Sequence, residues 1–213
     1  DTIGILAPSG AMQDDTNLKR GISFFEKRGF KIKLSDNIYS SNRYLAGSDK
    51  ERLSAIHKMF SDKSVNAIIC LRGGDGAIRL INQIDYDLIR ENPKIFCGYS
   101  DITALDAMFL KRAGLSTYSG PMIMSDFGQE NLCEYTINKF FQTVQEGKFD
   151  YEGRFWGGNL STLVSLCGQN FIPDFKFILF LEDLNEPPYK IDKMVTQLFN
   201  IEKLRKNVEA VAI

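Results

Sequence analysis

The sequence contains one histidine, one tryptophan and four scattered cysteines. A lone histidine and the absence of any C-x-x-C pair leave no common zinc-ligand pattern, so no metal and no cofactor is expected. Cys70, Cys97, Cys133 and Cys167 are too widely spaced to read as a disulfide framework. Cys70 and Cys97 sit inside apolar runs and read as reduced, buried thiols of a cytoplasmic protein. No apolar stretch approaches the roughly 18 residues that cross a bilayer, so no membrane partner is expected. Charge of one sign is lacking too: 26 Lys and Arg stand against 27 Asp and Glu, a net charge of −1. That balance argues against nucleic acid or an anionic surface as partner. There is no internal repeat and no low-complexity segment.

What the 213 residues do contain is alternation. "TIGILA" reads as a short strand ending in the turn Pro8-Ser9-Gly10. Residues 15 to 28 read as an amphipathic helix with Leu18, Ile22 and Phe25 on one face and Gly29 closing it. "FKIKL" follows as a strand, and Ser48 with Glu51 forms a capping box before a helix carrying Leu53, Ile56 and Phe60. "VNAIICL" is a continuous apolar run of the kind buried on both faces of a parallel sheet. It ends in Arg72-Gly73-Gly74-Asp75-Gly76, and "AIRLINQI" after it has helical spacing. The pattern predicts an α/β protein with a doubly wound, mostly parallel sheet, whose turns at the carboxyl ends of the strands gather the ligand site. Beyond a polar helix, "NLCEYTINKFFQTVQEG", the pattern changes to "GRFWGGNLSTLVSLCG" and the strand "FILFLED". A domain boundary is expected near residues 145 to 153, giving an N-terminal domain over 1–148 and a second, smaller α/β domain over 153–213. The first residue is Asp1, directly before a strand, and the last segment, "VEAVAI", reads as the middle of another. Both ends therefore read as cut and the second domain as incomplete.

Three stretches carry chemistry. In "FCGYSDITALDAMF" an apolar strand stops at Gly98, and helical spacing begins at Asp101 with Ile102, Leu105, Met108 and Phe109. Ser100 falls on the corner. Such a corner lifts a side chain above the sheet and suits a nucleophile, yet it equally suits a helix-capping serine. "RGGDG" either leaves backbone N–H groups free for an anion, as in kinases resembling the NAD kinase and diacylglycerol kinase group, or is a tight turn needing positive φ. Glu182 ends "FILFLE" and is either a solvated strand-end charge or a buried orienting acid. His57, one turn after Leu53, reads as a packing or surface histidine without a catalytic role.

"ILAPSG", "LRGGDGAIRLI", "KIFCGYSDITAL", "TYSGPM", "GGNLSTLVSLCG" and "ILFLEDLNEPPYKID" occur in that order, and together they resemble the LD-carboxypeptidase family of serine peptidases. That family includes murein tetrapeptide carboxypeptidases and microcin C self-immunity hydrolases. The resemblance runs from residue 2 to about residue 205. It implies a Ser-Glu-His triad with Ser100 as nucleophile and Glu182 as carboxylate, Glu186 being the other acid of "LEDLNE". It implies an oxyanion hole from the backbone N–H groups of Asp101 and Gly74. Arg72 and Asn159 are the candidate substrate-binding residues, with Arg72 either reading a substrate carboxylate or pairing structurally. The implied partner is a small peptide substrate, and the implied assembly a homodimer. Two departures stand out. Asp75 occupies a position where other members carry an aromatic residue, and the family's triad histidine falls downstream of the LED motif, past residue 213. The chain as written is therefore expected to be nearly inactive. The segment between "EGKFD" and "GGNL" is also shorter than usual. A phosphate-binding kinase and a non-catalytic binding module are the readings from other classes.

Overall fold

The computed structural model describes residues 1–147 and 153–213. Five short strands, β1 (Thr2–Leu6), β2 (Lys31–Leu34), β3 (Ala67–Cys70), β4 (Ile95–Gly98) and β5 (Tyr118–Ser119), form one sheet in the order β2-β1-β3-β4-β5. Every pairing in it is parallel. Helices α1 (Thr16–Glu26), α2 (Asp49–Ser61), α3 (Tyr86–Glu91) and α4 (Thr103–Met108) connect the strands. The chain leaves β1 toward β2 and returns to the other side of β1 at β3. This reversal opens a crevice at the carboxyl ends of β1 and β3, where doubly wound folds place their ligands.

Period-two alternation sends side chains of one strand into two separate cores. Ile3 and Ile5 of β1, and Ile69 of β3, join Leu18, Phe24 and Phe25 of α1. Leu6, Ile68 and Cys70 join Ile56, Met59 and Phe60 of α2. Phe109 packs edge-on against Phe60 and Phe96, with ring centroids 5.4 and 5.0 Å apart. Each such buried ring contributes about 1.5–3 kcal/mol to the core beneath the sheet. Cys70 and Cys97 are buried as expected, whereas Cys133 is exposed.

A second parallel sheet, β6 (Phe155–Asn159), β7 (Phe177–Glu182) and β8 (Val208–Ala212), lies in the order β6-β7-β8. It carries α6 (Leu160–Ser165), α7 (Pro188–Phe199) and α8 (Glu202–Asn207). α5 (Glu134–Glu146) precedes it, and the expected boundary near residues 145 to 153 falls largely outside the described residues.

Two expectations change. "AIRLINQI" is not a helix but a single 3-10 turn, Ala77–Arg79. Leu80, Ile81 and Ile84 all turn into the core, and Asp85 restarts the helix by accepting from the N–H groups of Asp87 and Leu88 at 3.1 and 3.0 Å. Nor is α5 simply polar. Its Ile137 is buried, and Phe140 and Phe141 join the ring cluster of Phe24, Phe25 and Phe127.

Candidate active site

At the end of β4, Tyr99 is extended (φ −145°, ψ −172°) and Ser100 flips into the left-handed region at φ 64°. A non-glycine residue there costs about 1 kcal/mol or more and persists only where its surroundings impose it. Neither the 3-10 turn Ser100–Ile102 nor α4 after it takes a side-chain cap, so Ser100 does not serve as one. Its hydroxyl makes no hydrogen bond among the described residues. The corner therefore holds Ser100 in a strained conformation with its oxygen free.

The turn after β3 presses against it. A Cβ at Gly73 would lie 2.9 Å from Ser100 Cβ and 3.0 Å from Ser100 Oγ, so no side chain fits between turn and elbow. Gly74 has φ 141° and abuts Gly10 of the loop after β1, which also donates its N–H to Gly73 O at 3.3 Å. Arg72 joins the same two loops: its Nε donates to Gly73 O (3.2 Å) and its Nη1 to Ala11 O (3.1 Å). The 3-10 turn that follows has only three residues, so "RGGDG" lacks the long helix start on which a phosphate would sit. The structure gathers Arg72, Gly74, Ser100 and Asp101 at one point.

Asp101 is buried, and one carboxylate oxygen accepts from Ser9 Oγ at 2.5 Å and from the Ala77 N–H at 2.9 Å. Burial raises its pKa, opposed by those two donors. Beyond a backbone N–H at the elbow, Asp101 thus supplies a carboxylate that ties the "PSG" turn to the start of the 3-10 turn after "RGGDG".

Glu182 closes β7 on the far side of the elbow. Burial raises its pKa; the Asn159 side chain and, more weakly, the Ser100 N–H favour the charged form, while Asp183 opposes it. Neither approach closes into a full hydrogen bond, and Glu182 Oε1 is buried without a partner. Tyr99 feels the same carboxylate, because its own pKa is raised by burial and by charges that include Glu182. Glu186, the other acid of that segment, has its Oε2 3.2 Å from Lys190 Nζ on α7, an ion pair without a hydrogen bond to that buried oxygen.

Asn159 also has a structural task. It caps α6: its Oδ1 accepts from the Thr162 N–H (3.0 Å), Thr162 Oγ1 (2.9 Å) and Ser161 Oγ (2.7 Å). Its own N–H donates to Thr103 Oγ1 at 3.0 Å, tying β6 to the start of α4. The residue is buried and its side chain lies close enough to Glu182 to favour the charged carboxylate. His57 lies away from this cluster, its Nε2 accepting the Asp85 N–H at 3.0 Å. Asp75 is exposed. Among the described residues no group of three or more His, Cys, Asp or Glu is placed to hold a metal ion. No helix there is long and apolar enough to cross a membrane.

Comparison with known proteins bears on the family and the fold. The family model described as the LD-carboxypeptidase N-terminal domain matches residues 3–120, and the C-terminal domain model matches residues 152–213. A Bacillus subtilis protein named probable murein peptide carboxypeptidase is 40% identical over 214 residues, covering 93% of this chain and 67% of the relative. The solved MccF-like protein of Bacillus anthracis superposes with a TM-score of 0.89 at 31% identity, covering 99% of this chain and 76% of that one. Muramoyltetrapeptide carboxypeptidase of Oxalobacter formigenes gives 0.87 at 32% identity, covering 99% and 75%. With both domain models matched in order across the two sheets, the chain belongs to the LD-carboxypeptidase family.

Proposed function

We propose that this chain supplies the nucleophile and orienting acid of a serine carboxypeptidase that releases a terminal D-alanine from murein-derived tetrapeptides. The observation that carries it is the free hydroxyl of Ser100, held at φ 64°, beside a Glu182 whose Oε1 is buried without a partner and whose charged form the Ser100 N–H favours. In this reading Ser100 Oγ attacks the carbonyl carbon of the L-to-D bond and passes its proton to an imidazole. The N–H groups of Asp101 and Gly74 receive the charge that develops on the carbonyl oxygen. The C–N bond breaks, the amine leaves with the proton, and water hydrolyses the acyl-enzyme. Glu182 orients the imidazole, which the family resemblance places downstream of the LED motif; His57, bonded to Asp85, is not that base.

Arg72 is the proposed reader of the substrate's free α-carboxylate. Two of its nitrogens are fixed on carbonyls, so the guanidinium is pre-aimed while Nη2 stays unengaged among the described residues. Charge-assisted pairing of this kind is directional and strong. In the intact enzyme, Arg72→Ala is expected to raise KM about tenfold with a smaller loss in kcat, as for a contact made equally in ground and transition states. The tetrapeptide amidated at its C-terminus should be a poor substrate. Equal rates on acid and amide would remove carboxylate readout from the proposal.

The second reading is a microcin-type amide hydrolase, favoured by the close superposition on the MccF-like protein. Cleavage of an aminoacyl sulfamoyl adenylate, with none of the tetrapeptide, would select it. Under either reading, activity should persist in EDTA, and calorimetric titration with ATP and Mg²⁺ should give no binding heat. Micromolar ATP affinity would instead promote the kinase reading of "RGGDG". The division into domains over 1–148 and 153–213, the cytoplasmic location and the homodimer belong to this proposal. Two sheets without a shared strand support the first, and light scattering of the intact protein tests the last.

A further inference from the structure

The loops after β1 and β3 carry the oxyanion turn, yet the sheet stops holding them early. The last ladder bond between these strands is Leu71 N–H to Leu6 O at 2.7 Å. Beyond it, two buried charges grip the loops. Arg52, on α2 and 0% exposed, donates through Nη1 to Pro8 O at 2.8 Å and to Gly76 O at 3.0 Å. Asp101, 6% exposed, accepts from Ser9 Oγ and from the Ala77 N–H. The cation thus holds positions 8 and 76, and the anion holds their neighbours, 9 and 77. Gly74, pressed on Gly10, lies within the loop segments so pinned.

Arg52 is anchored in turn. Its Nη2 donates to Asp49 Oδ1 at 2.6 Å, and Asp49 takes a two-pronged contact from Arg79 (Nε to Oδ1 2.9 Å, Nη2 to Oδ2 2.8 Å). Two buried charges on a pair of surface turns are expensive to maintain unless they do something a packed apolar core cannot. Arg52 Nε even remains buried without a partner. A directional grip on backbone carbonyls and N–H groups is such a task, because apolar packing fixes distance without fixing where an N–H points.

We infer that Arg52 and Asp101 form one buried brace that positions the Gly74 and Asp101 N–H groups, so that Arg52, Ser9 and the Asp101 carboxylate are positioning residues for hydrolysis at Ser100. The inference rests on the proposed reading of those two N–H groups as the oxyanion hole. It requires that the brace act on the transition state, where the oxyanion forms, and hardly on substrate binding.

The test uses the intact enzyme and the tetrapeptide, with Arg52→Met, Asp101→Ala, Ser9→Ala and Asp101→Asn. Arg52→Met and Asp101→Ala should each lower kcat about 100-fold, the scale of a misplaced oxyanion donor, with KM within about threefold. The double variant should be no worse than the more damaged single one, since both break one linkage. Ser9→Ala should lose about tenfold, and Asp101→Asn, which keeps an acceptor for the Ala77 N–H, should recover most of the rate. Amide hydrogen exchange supplies a readout that needs no substrate. In Arg52→Met and in Asp101→Ala, residues 8–10 and 73–77 should lose protection together, by about tenfold or more, with β7 unchanged. Should Arg52→Met fail to fold, Ser9→Ala and Asp101→Asn carry the same comparison. A rise in KM with kcat intact, multiplicative losses in the double variant, or exchange that quickens in only one loop would overturn the brace. A wild-type enzyme inert toward the tetrapeptide would refute the proposed substrate, while the exchange result would still judge the brace.

Discussion

Ser100→Ala in the intact enzyme should abolish turnover, with kcat falling on the order of 10⁶-fold, the scale of losing a nucleophile that works as a unit with its base. Stability should move by less than about 1 kcal/mol. Ser100 caps no helix, and its hydroxyl makes no hydrogen bond among the described residues that alanine would forfeit. The left-handed backbone at position 100 is imposed by its surroundings and remains in the variant. Rate and stability therefore separate cleanly, which a capping serine would not allow. Measuring tetrapeptide hydrolysis beside a denaturant melt checks both halves. Retained turnover would show that the nucleophile lies elsewhere; a loss of about 2 kcal/mol would show that Ser100 is structural after all.

The elbow was legible because everything that makes it is local. A strand ending at Gly98, a helix beginning within three residues and a serine on the corner are all visible in "CGYSDIT". The capping box of α2 was legible for the same reason: Ser48 and Glu51 exchange both of their contacts within one turn. The partners of the Asp101 carboxylate were not. Ser9 and Ala77 lie 92 and 24 residues away along the chain, and only the parallel crossovers bring them to one oxygen. Arg52 was hidden more thoroughly. Between Glu51 and Leu53 it reads as one more solvated charge on a helix, and only the closure of two loops over α2 buries it. "AIRLINQI" misled because its apolar spacing fits a helix as well as it fits three separate core contacts. The cap that Asn159 Oδ1 forms on the first turn of α6 is local, but its approach to Glu182 depends on the pairing of β6 with β7. Spacing along a chain signals local geometry; it is silent about which polar groups two crossovers will bring together.

Glu182→Gln should lower kcat on the order of 10⁴-fold, because a neutral amide cannot stabilise an imidazolium and can hold the ring in the wrong tautomer. KM should change little, since the residue acts on the base and not on the substrate. The stability outcome is the sharper part. Burial raises the pKa of Glu182 in the folded protein, so the folded state binds this proton more tightly than the unfolded chain does. By linkage, the group's contribution is most favourable below the ordinary glutamate range and declines as pH rises through the raised value. Ionised, Glu182 is a partly desolvated charge, which glutamine does not carry. Glu182→Gln should accordingly melt at the same temperature as wild type or higher at pH 7, with the difference shrinking toward pH 4. Glu186→Gln, made beside it, should leave kcat within about threefold, because that carboxylate pairs with the half-exposed ammonium of Lys190 on α7 and not with the elbow. If Glu186→Gln is the more damaging of the two, the orienting acid has been misassigned. If Glu182→Gln is both inactive and clearly less stable at pH 7, the carboxylate holds the fold together and its catalytic role is not established by the loss of rate.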